Sequence, residues 1–288
     1  MALDSRPTAP PSRPTAPAPP KTPTQAWIKP ATALGSYYIV CGTMGVGKTS
    51  LCAKFPSPLF AVDSSDVGAL QLQRAGKLDS NIPVILVKSE PQLISDVMER
   101  FAKDPGQYKT LVFEGLHGWY QHLVMPNVLR RLREKDIDPN NYAADQKAVI
   151  ADEAPRLLSA INAIMTAGLN IVITAHTKDG TKANPNGMDY LTQQINIPKG
   201  IVDQVAKNAT GVFCITNVPE VAEPKGTTTD KDLMSKRTKV KELTKRLYLN
   251  PTPGLEHAKN QFGCSKPFLD YDTDSQVYQA LLSEGMLV

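Results

Sequence analysis

One run of eight residues constrains the fold of this chain more than any other segment. It satisfies the pattern G-x-x-x-x-G-K-[ST] and consists of Gly42, Thr43, Met44, Gly45, Val46, Gly47, Lys48 and Thr49. A β-prone apolar run, residues 36–41, precedes it, and a helix-competent run, residues 48–55, follows it. Glycines let successive backbone N–H groups converge on phosphate oxygens without Cβ clashes, so this context predicts a phosphate-binding loop between a strand and a helix.

Two side chains of the loop have predicted roles in binding ATP and Mg²⁺. A lysine at the position of Lys48 contacts the β- and γ-phosphates as a point charge, and a hydroxyl at the position of Thr49 ligates Mg²⁺. The helix dipole after the loop also favours an anion. We therefore expect residues 42–49 to bind ATP, with Mg²⁺ as the accompanying metal.

The chain from residue 36 onward alternates strand-like and helix-like patterns, which predicts an α/β fold with a mainly parallel sheet flanked by helices. The expected strands are residues 36–41, 58–63, 83–88, 109–114, 170–174, 211–216 and 245–249. The expected helices are residues 48–55, 89–103, 157–165 and 275–282. Polar stretches containing Gly and Pro predict a long loop at 176–200, and a second polar stretch runs from 219 to 242.

Polar residues follow three of these strands, at the edge where parallel sheets open toward ligands. Glu114 ends its strand and is the expected acid of the magnesium site; the alternative is a strand-terminal surface glutamate. Asp63 and Asp66 follow another strand and are candidates to orient the attacking water, although Asp63 could equally cap a turn. His176 is the candidate γ-phosphate sensor, against the alternative of a structural histidine.

The N-terminal segment differs in composition from the rest. Residues 5–11 and 12–18 form a near-exact tandem repeat of Ser, Arg, Pro, Thr and Ala, with almost no large apolar side chains. Such a segment cannot bury enough surface to offset its ordering entropy. We expect residues 1–33 to be a disordered, Pro-rich tail that acts as a spacer or as a docking peptide, and residues 34–288 to form one domain.

Overall composition excludes several classes of protein. A net charge of +4 is too small to indicate nucleic-acid or membrane binding through the overall field. The four cysteines are far apart with no CxxC pair, which favours neither a zinc site nor a disulfide framework. No apolar run reaches the roughly 18 residues of a membrane helix, and no signal peptide is evident. These features predict a soluble, cytoplasmic protein.

The order of these elements resembles that of the RecA-fold ATPases, most closely the phage-type AAA/RecA-like nucleotide-binding proteins associated with single-strand DNA annealing and recombination. The resemblance covers roughly residues 36–262, and its specific parts are residues 42–49, 58–68, 108–119, 170–178 and 246–263. Such families usually have Asp where this chain has Glu114. They usually have Glu where it has Ser65, beside Asp66, and a basic residue near Gln261. The two changes of acid put the rate of hydrolysis in doubt, and no arginine role is carried over to Gln261.

The resemblance implies an ATPase that acts on single-stranded DNA in recombination, annealing or replication, as a homo-oligomer and inside a bacterial host if phage-encoded. A basic segment, residues 224–246, could track phosphates through Lys236, Arg237, Lys239 and Lys241, or could be a solvated face. The tail could recruit a single-strand-binding protein or another replication partner. The alternatives are an ATP-gated adaptor in DNA packaging or replisome loading, and a small-molecule kinase.

Overall fold

A central sheet of mostly parallel strands organises the chain. The computed structural model describes residues 34–64, 67–134, 154–184, 188–221 and 240–287. The strands are β1 (Tyr37–Gly42), β2 (Pro58–Asp63), β3 (Val84–Val87), β4 (Thr110–Glu114), β5 (Asn170–Lys182), β6 (Tyr190–Ile195), β7 (Gly211–Val221), β8 (Val240–Tyr248), β9 (Lys259–Asn260) and β10 (Phe268–Asp270).

Helices cover both faces of the sheet. They are α1 (Lys48–Cys52), α2 (Gly68–Arg74), α3 (Arg100–Lys103), α4 (Leu116–Gly118), α5 (Met125–Glu134), α6 (Ala154–Thr166), α7 (Lys199–Asn208) and α8 (Asp274–Ser283). Two π-helical segments, Gln92–Glu99 and Trp119–Val124, lead into α3 and α5. The predicted α/β fold with a mainly parallel, helix-flanked sheet is confirmed.

The strands lie in the order β10-β8-β7-β1-β5-β4-β2-β3, with β6 paired to β5 and β9 paired to β7. From β7 to β3 all neighbours run parallel, whereas β8 and β10 extend the sheet antiparallel. Strand β5 therefore separates β1, which leads into the phosphate-binding loop, from β4, which ends in Glu114. The carboxyl ends of β1, β5 and β4 meet at one edge of the sheet.

The core lies on both faces of the sheet because the side chains of each strand alternate between them. In β1, Tyr37, Ile39 and Cys41 join a cluster with the helices on one face, which includes the fully buried Trp119. Tyr38 and Val40 join the cluster on the other face. A strand buried on both faces must be apolar along its whole length, as this one is.

The helix predicted from Ser89 begins with the capping contacts that its sequence indicates. The backbone N–H of Gln92 donates to Ser89 Oγ at 3.3 Å, and the backbone N–H of Lys88 donates to the Gln92 side-chain oxygen at 2.8 Å. The helix continues to Lys103. Its start and end agree with the prediction, although most of it has π-type hydrogen bonding.

The long loop predicted at residues 176–200 is wrong. Strand β5 continues past His176 to Lys182 and turns back as β6, pairing from Thr177 opposite Ile195 to Lys182 opposite Tyr190, and α7 follows. The β5 residues of this ribbon, 176–182, are a continuous polar run, and four of the seven are exposed. In the same way, β7 runs to Val221 and β8 begins at Val240, so the polar stretch at 219–242 includes strand residues at both ends.

No helix in these described ranges combines the length and the apolar character needed to cross a membrane. The tail, residues 1–33, lies outside the described residues.

Two glycines test the packing of the sheet against its connections. A Cβ on Gly35 would lie 1.8 Å from the backbone oxygen of Leu169, whereas a Cβ on Gly200, in the first turn of α7, would meet nothing within 4 Å. We expect Gly35→Ala to lower the free energy of unfolding by about 1–3 kcal/mol, since the backbone must move. Gly200→Ala should leave it equal or raise it by up to about 1 kcal/mol. Urea unfolding of both variants measures this, and an equal midpoint for the two would contradict the packing described.

Candidate functional site

The loop after β1 has the backbone shape of a phosphate cradle. Gly45 and Gly47 adopt φ angles of 73° and 98°, in the left-handed region that favours glycine. A Cβ on Gly42 would lie 2.5 Å from the backbone oxygen of Ile215 in β7. Glycine at these positions lets the loop turn tightly and remain packed against the neighbouring strand.

The Lys48 side chain is folded under this loop. It is 7% exposed, and its ammonium donates to the backbone oxygens of Gly42 at 3.1 Å and Thr43 at 2.9 Å. His176 Nδ1 lies 3.2 Å from the same Nζ. An ammonium has only donors, so Nδ1 accepts, and the proton of the neutral imidazole is on Nε2. The sequence-predicted lysine and histidine are therefore in direct contact.

Thr49 and Glu114 also come together, although 65 residues separate them in the chain. The Thr49 hydroxyl donates to Glu114 Oε1, and Glu114 is 5% exposed. The alternative of a surface glutamate at 114 is therefore wrong. The end of β4 places this carboxylate beside the loop hydroxyl across the width of β5.

The donor set of Thr49 and Glu114 suits Mg²⁺. Both contribute oxygen, the ligand that Mg²⁺ prefers, and Mg²⁺ in nucleotide sites is held by one or two protein oxygens together with phosphates and water. Among the described residues, no group of three or more His, Cys, Asp or Glu side chains could hold a metal without such help. The residues present therefore fit a magnesium ion that arrives with a nucleotide.

A family comparison bears on this arrangement. A family model described as an AAA domain matches residues 35–254, from the start of β1 to just beyond β8. The chain belongs to the AAA domain family. Membership indicates a P-loop ATPase-type domain, which agrees with the geometry at Lys48, Thr49 and Glu114. No curated protein gives a significant match to the chain.

A cavity of about 740 Å³ adjoins the loop of the AAA domain. Lys48, Thr49, Glu114, Thr174 and His176 line one side, and residues of α2 line the other. A larger cavity, about 960 Å³, lies between α3 and α6 and contains none of the strand-end residues. We assign the smaller cavity to nucleotide, because the convergence of charged and hydroxyl groups defines a phosphate site better than volume does.

Sequence reasoning missed two parts of this site. Helix α2 was not predicted, although Ala69 and Leu72 have helical spacing. Thr174, 2% exposed, accepts a 3.0 Å hydrogen bond from the backbone N–H of Gly115 and so fixes the turn directly after Glu114. A buried polar side chain inside an otherwise apolar strand is the signal that could have identified Thr174.

The two candidates for the water-orienting acid have different outcomes. Asp66 lies outside the described residues. Asp63, 1% exposed, ends β2 beside β4, and its carboxylate fills the space that a Cβ on Gly118 would occupy, with Oδ2 2.6 Å from that position. Asp63 does not line the nucleotide cavity. Turn-capping by Asp63 and the role of Asp66 both stay predictions.

The predicted nucleic-acid residues of the AAA domain lie almost wholly beyond what the structure describes. Lys236, Arg237 and Lys239 are outside the described residues. The backbone of Lys241 is part of β8, but its side chain is outside them too. Their proposed contact with DNA stays a prediction.

Two buried threonines on adjacent strands test the turn after Glu114. Thr174→Val removes the acceptor for the Gly115 N–H and should lower the free energy of unfolding by about 1–3 kcal/mol. Thr110 is equally buried, but its Oγ1 makes no hydrogen bond to any described residue. Thr110→Val should therefore be neutral or stabilising. Urea unfolding compares the two, and equal losses of stability would contradict the role assigned to Thr174.

Proposed function

We propose that this AAA domain binds and hydrolyses ATP with Mg²⁺, and that it acts on single-stranded DNA. The observation that carries the proposal is the convergence of Lys48, Thr49, Glu114 and His176 at one edge of the sheet. Lys48 and Thr49 begin α1 directly after the loop, Glu114 ends β4, and His176 lies in β5. Such a constellation supplies a cation that binds phosphate, oxygen ligands for a metal, and a polar group beside the γ-phosphate.

Nucleotide binding requires Lys48 to change partners. Its ammonium exchanges the carbonyls of Gly42 and Thr43 for β- and γ-phosphate oxygens, and the loop N–H groups receive the phosphate chain. Thr49 and Glu114 are the residues that would hold the metal, the first through its hydroxyl oxygen and the second through its carboxylate. Bound Mg²⁺ neutralises charge that develops on the phosphates during hydrolysis.

His176 senses the terminal phosphate in this proposal. Its Nδ1 accepts from Lys48, so the protonated Nε2 is the nitrogen that can donate to a γ-phosphate oxygen. Hydrolysis removes that oxygen and so changes the contacts of His176, the residue directly before β5 begins to pair with β6. Asp66 is the candidate that orients the attacking water.

The strand order favours an ATPase over the small-molecule kinase. Strand β5 stands between the loop strand and the acidic strand and brings a histidine to the phosphate site. That arrangement resembles the RecA-fold enzymes and is uncommon in small-molecule kinases with the same loop.

The DNA substrate is the finer part of the proposal and rests on the sequence. Lys236, Arg237 and Lys239 lie between β7 and β8 in the sequence, and Lys241 is the second residue of β8. These four cations suit contact with a phosphate backbone. A homo-oligomer, and recruitment of a single-strand-binding or other replication partner by residues 1–33, belong to the same proposal. ATP turnover measured with and without single-stranded DNA separates this function from an ATP-gated adaptor, which would show little turnover in either case.

Substitution of Lys48 and of Glu114 tests the phosphate site. Lys48→Ala should weaken ATP binding by roughly 100-fold or more, since it removes two or more charge-assisted contacts. Glu114→Gln should largely keep nucleotide affinity but lower Mg²⁺-dependent turnover by roughly 100-fold, because the amide keeps the shape and loses the charge. Glu99 is an exposed acid, and the control Glu99→Gln should match the parent in nucleotide affinity and turnover. Wild-type affinity in Lys48→Ala would refute the site.

Substitution of the four cations at 236–241 tests DNA binding. Replacing Lys236, Arg237, Lys239 and Lys241 with alanine removes up to four phosphate contacts. The slope of log affinity against log salt for single strands should then shrink by up to about 2.8 units, at roughly 0.7 per contact. Basal ATP turnover should survive. The control replaces four exposed lysines elsewhere: Lys54, Lys88, Lys103 and Lys207. Equal salt slopes for both quadruple variants would show that the segment does not bind DNA.

A further inference from the structure

A second lysine reaches the phosphate loop, from the opposite side to His176. Lys245 lies on β8, opposite Asn217 of β7, whereas Gly42 at the end of β1 is level with Ile215 of β7. Lys245 is therefore beyond the end of the loop strand. A Cβ built on Gly47 would lie 2.8 Å from Lys245 Nζ. The ammonium is thus packed directly against the loop glycine that precedes Lys48.

The C-terminal part of the chain holds this ammonium in place. Nζ lies 3.4 Å from the ring centroid of Tyr271, a cation–π contact. The Tyr271 backbone N–H donates to the Lys245 backbone oxygen at 2.9 Å, and its hydroxyl donates to Asp274 Oδ1 at 2.5 Å. Asp274 is the first residue of α8, whose cap Thr273 accepts from the Gln276 N–H. Lys245 is consequently fixed by a strand, a buried ring and a capped helix.

The surroundings of Lys245 suit an anion. Burial lowers the pKa of its ammonium, and the charge of Asp274 acts in the opposite direction. A partly desolvated cation gains most from a further negative group close by. Backbone N–H groups of such a loop bind phosphate oxygens at about 3 Å, and the Lys245 ammonium lies beside one residue of that loop, Gly47.

We propose that Lys245 is a nucleotide-binding residue, which contacts the phosphate chain from the β7 side while His176 reaches it from the β5 side. Tyr271 and Asp274 are positioning residues that act through Lys245. Both lie beyond residue 254, where the family match ends. The inference rests on the proposed nucleotide site and adds a contact to it.

Titration of a fluorescent ADP tests this contact in the full chain. Lys245→Ala should weaken ADP binding roughly 10-fold, the size of one lost charge-assisted contact, and Lys245→Arg should recover most of it. The matched control is Arg246→Ala, which removes the adjacent cation of β8; that side chain contacts Asp270 and the Phe268 ring instead. Arg246→Ala should bind ADP as the parent does.

A double variant separates contact from bracing. Tyr271→Leu should weaken ADP binding alone but add little in the Lys245→Ala background, because its effect passes through the lysine. The melting temperature without nucleotide should stay close to that of the parent in Lys245→Ala. The inference is overturned if Lys245→Ala binds ADP within twofold of the parent. The inference is also overturned if Lys245→Ala lowers both the ADP affinity and the melting temperature and Lys245→Arg restores neither.

The failure of the underlying function has a different signature. If the parent chain and Lys48→Ala bind ADP equally poorly, the nucleotide site itself is wrong, and the role of Lys245 falls with it. If the parent binds and Lys48→Ala does not, the result for Lys245→Ala decides the inference alone.

Discussion

Every residue of β1, Tyr37–Gly42, is buried, and the strand is paired in parallel with β5 on one side and β7 on the other. This central position fixes where the phosphate-binding loop leaves the sheet. It also brings the loop close to side chains at the ends of the nearby strands. Strand β5 places His176 at the loop, and β4, one strand further from β1, places Glu114 there.

The same constraint explains how buried charges are tolerated at the site. Lys48 lies almost fully out of solvent, yet it has two loop carbonyls and an imidazole nitrogen as acceptors. Glu114 is paired with the Thr49 hydroxyl, and the turn after it is tied to Thr174. These hydrogen bonds offset part of the cost of burying Lys48 and Glu114 at the site.

The features that could be predicted from the sequence are those encoded in contiguous residues. The loop pattern, the apolar runs of the strands, and the polar residues that directly follow them located Lys48, Thr49, Glu114 and His176. The β5–β6 ribbon was missed because a continuous polar run outside the core resembles a loop. Lys245 could not be recognised as part of the site, since its position depends on the register of β8 against β7 and on Tyr271, more than 20 residues further along the chain.

The two strands that flank β1, β5 and β7, both continue past the end of β1. Strand β5 leaves His176 at the phosphate loop and extends as a hydrogen-bonded ribbon with β6, while β7 extends as a ribbon with β8, which returns Lys245 to the same loop. Each ribbon therefore connects its distal residues to the phosphate loop through two paired strands rather than through a single chain segment.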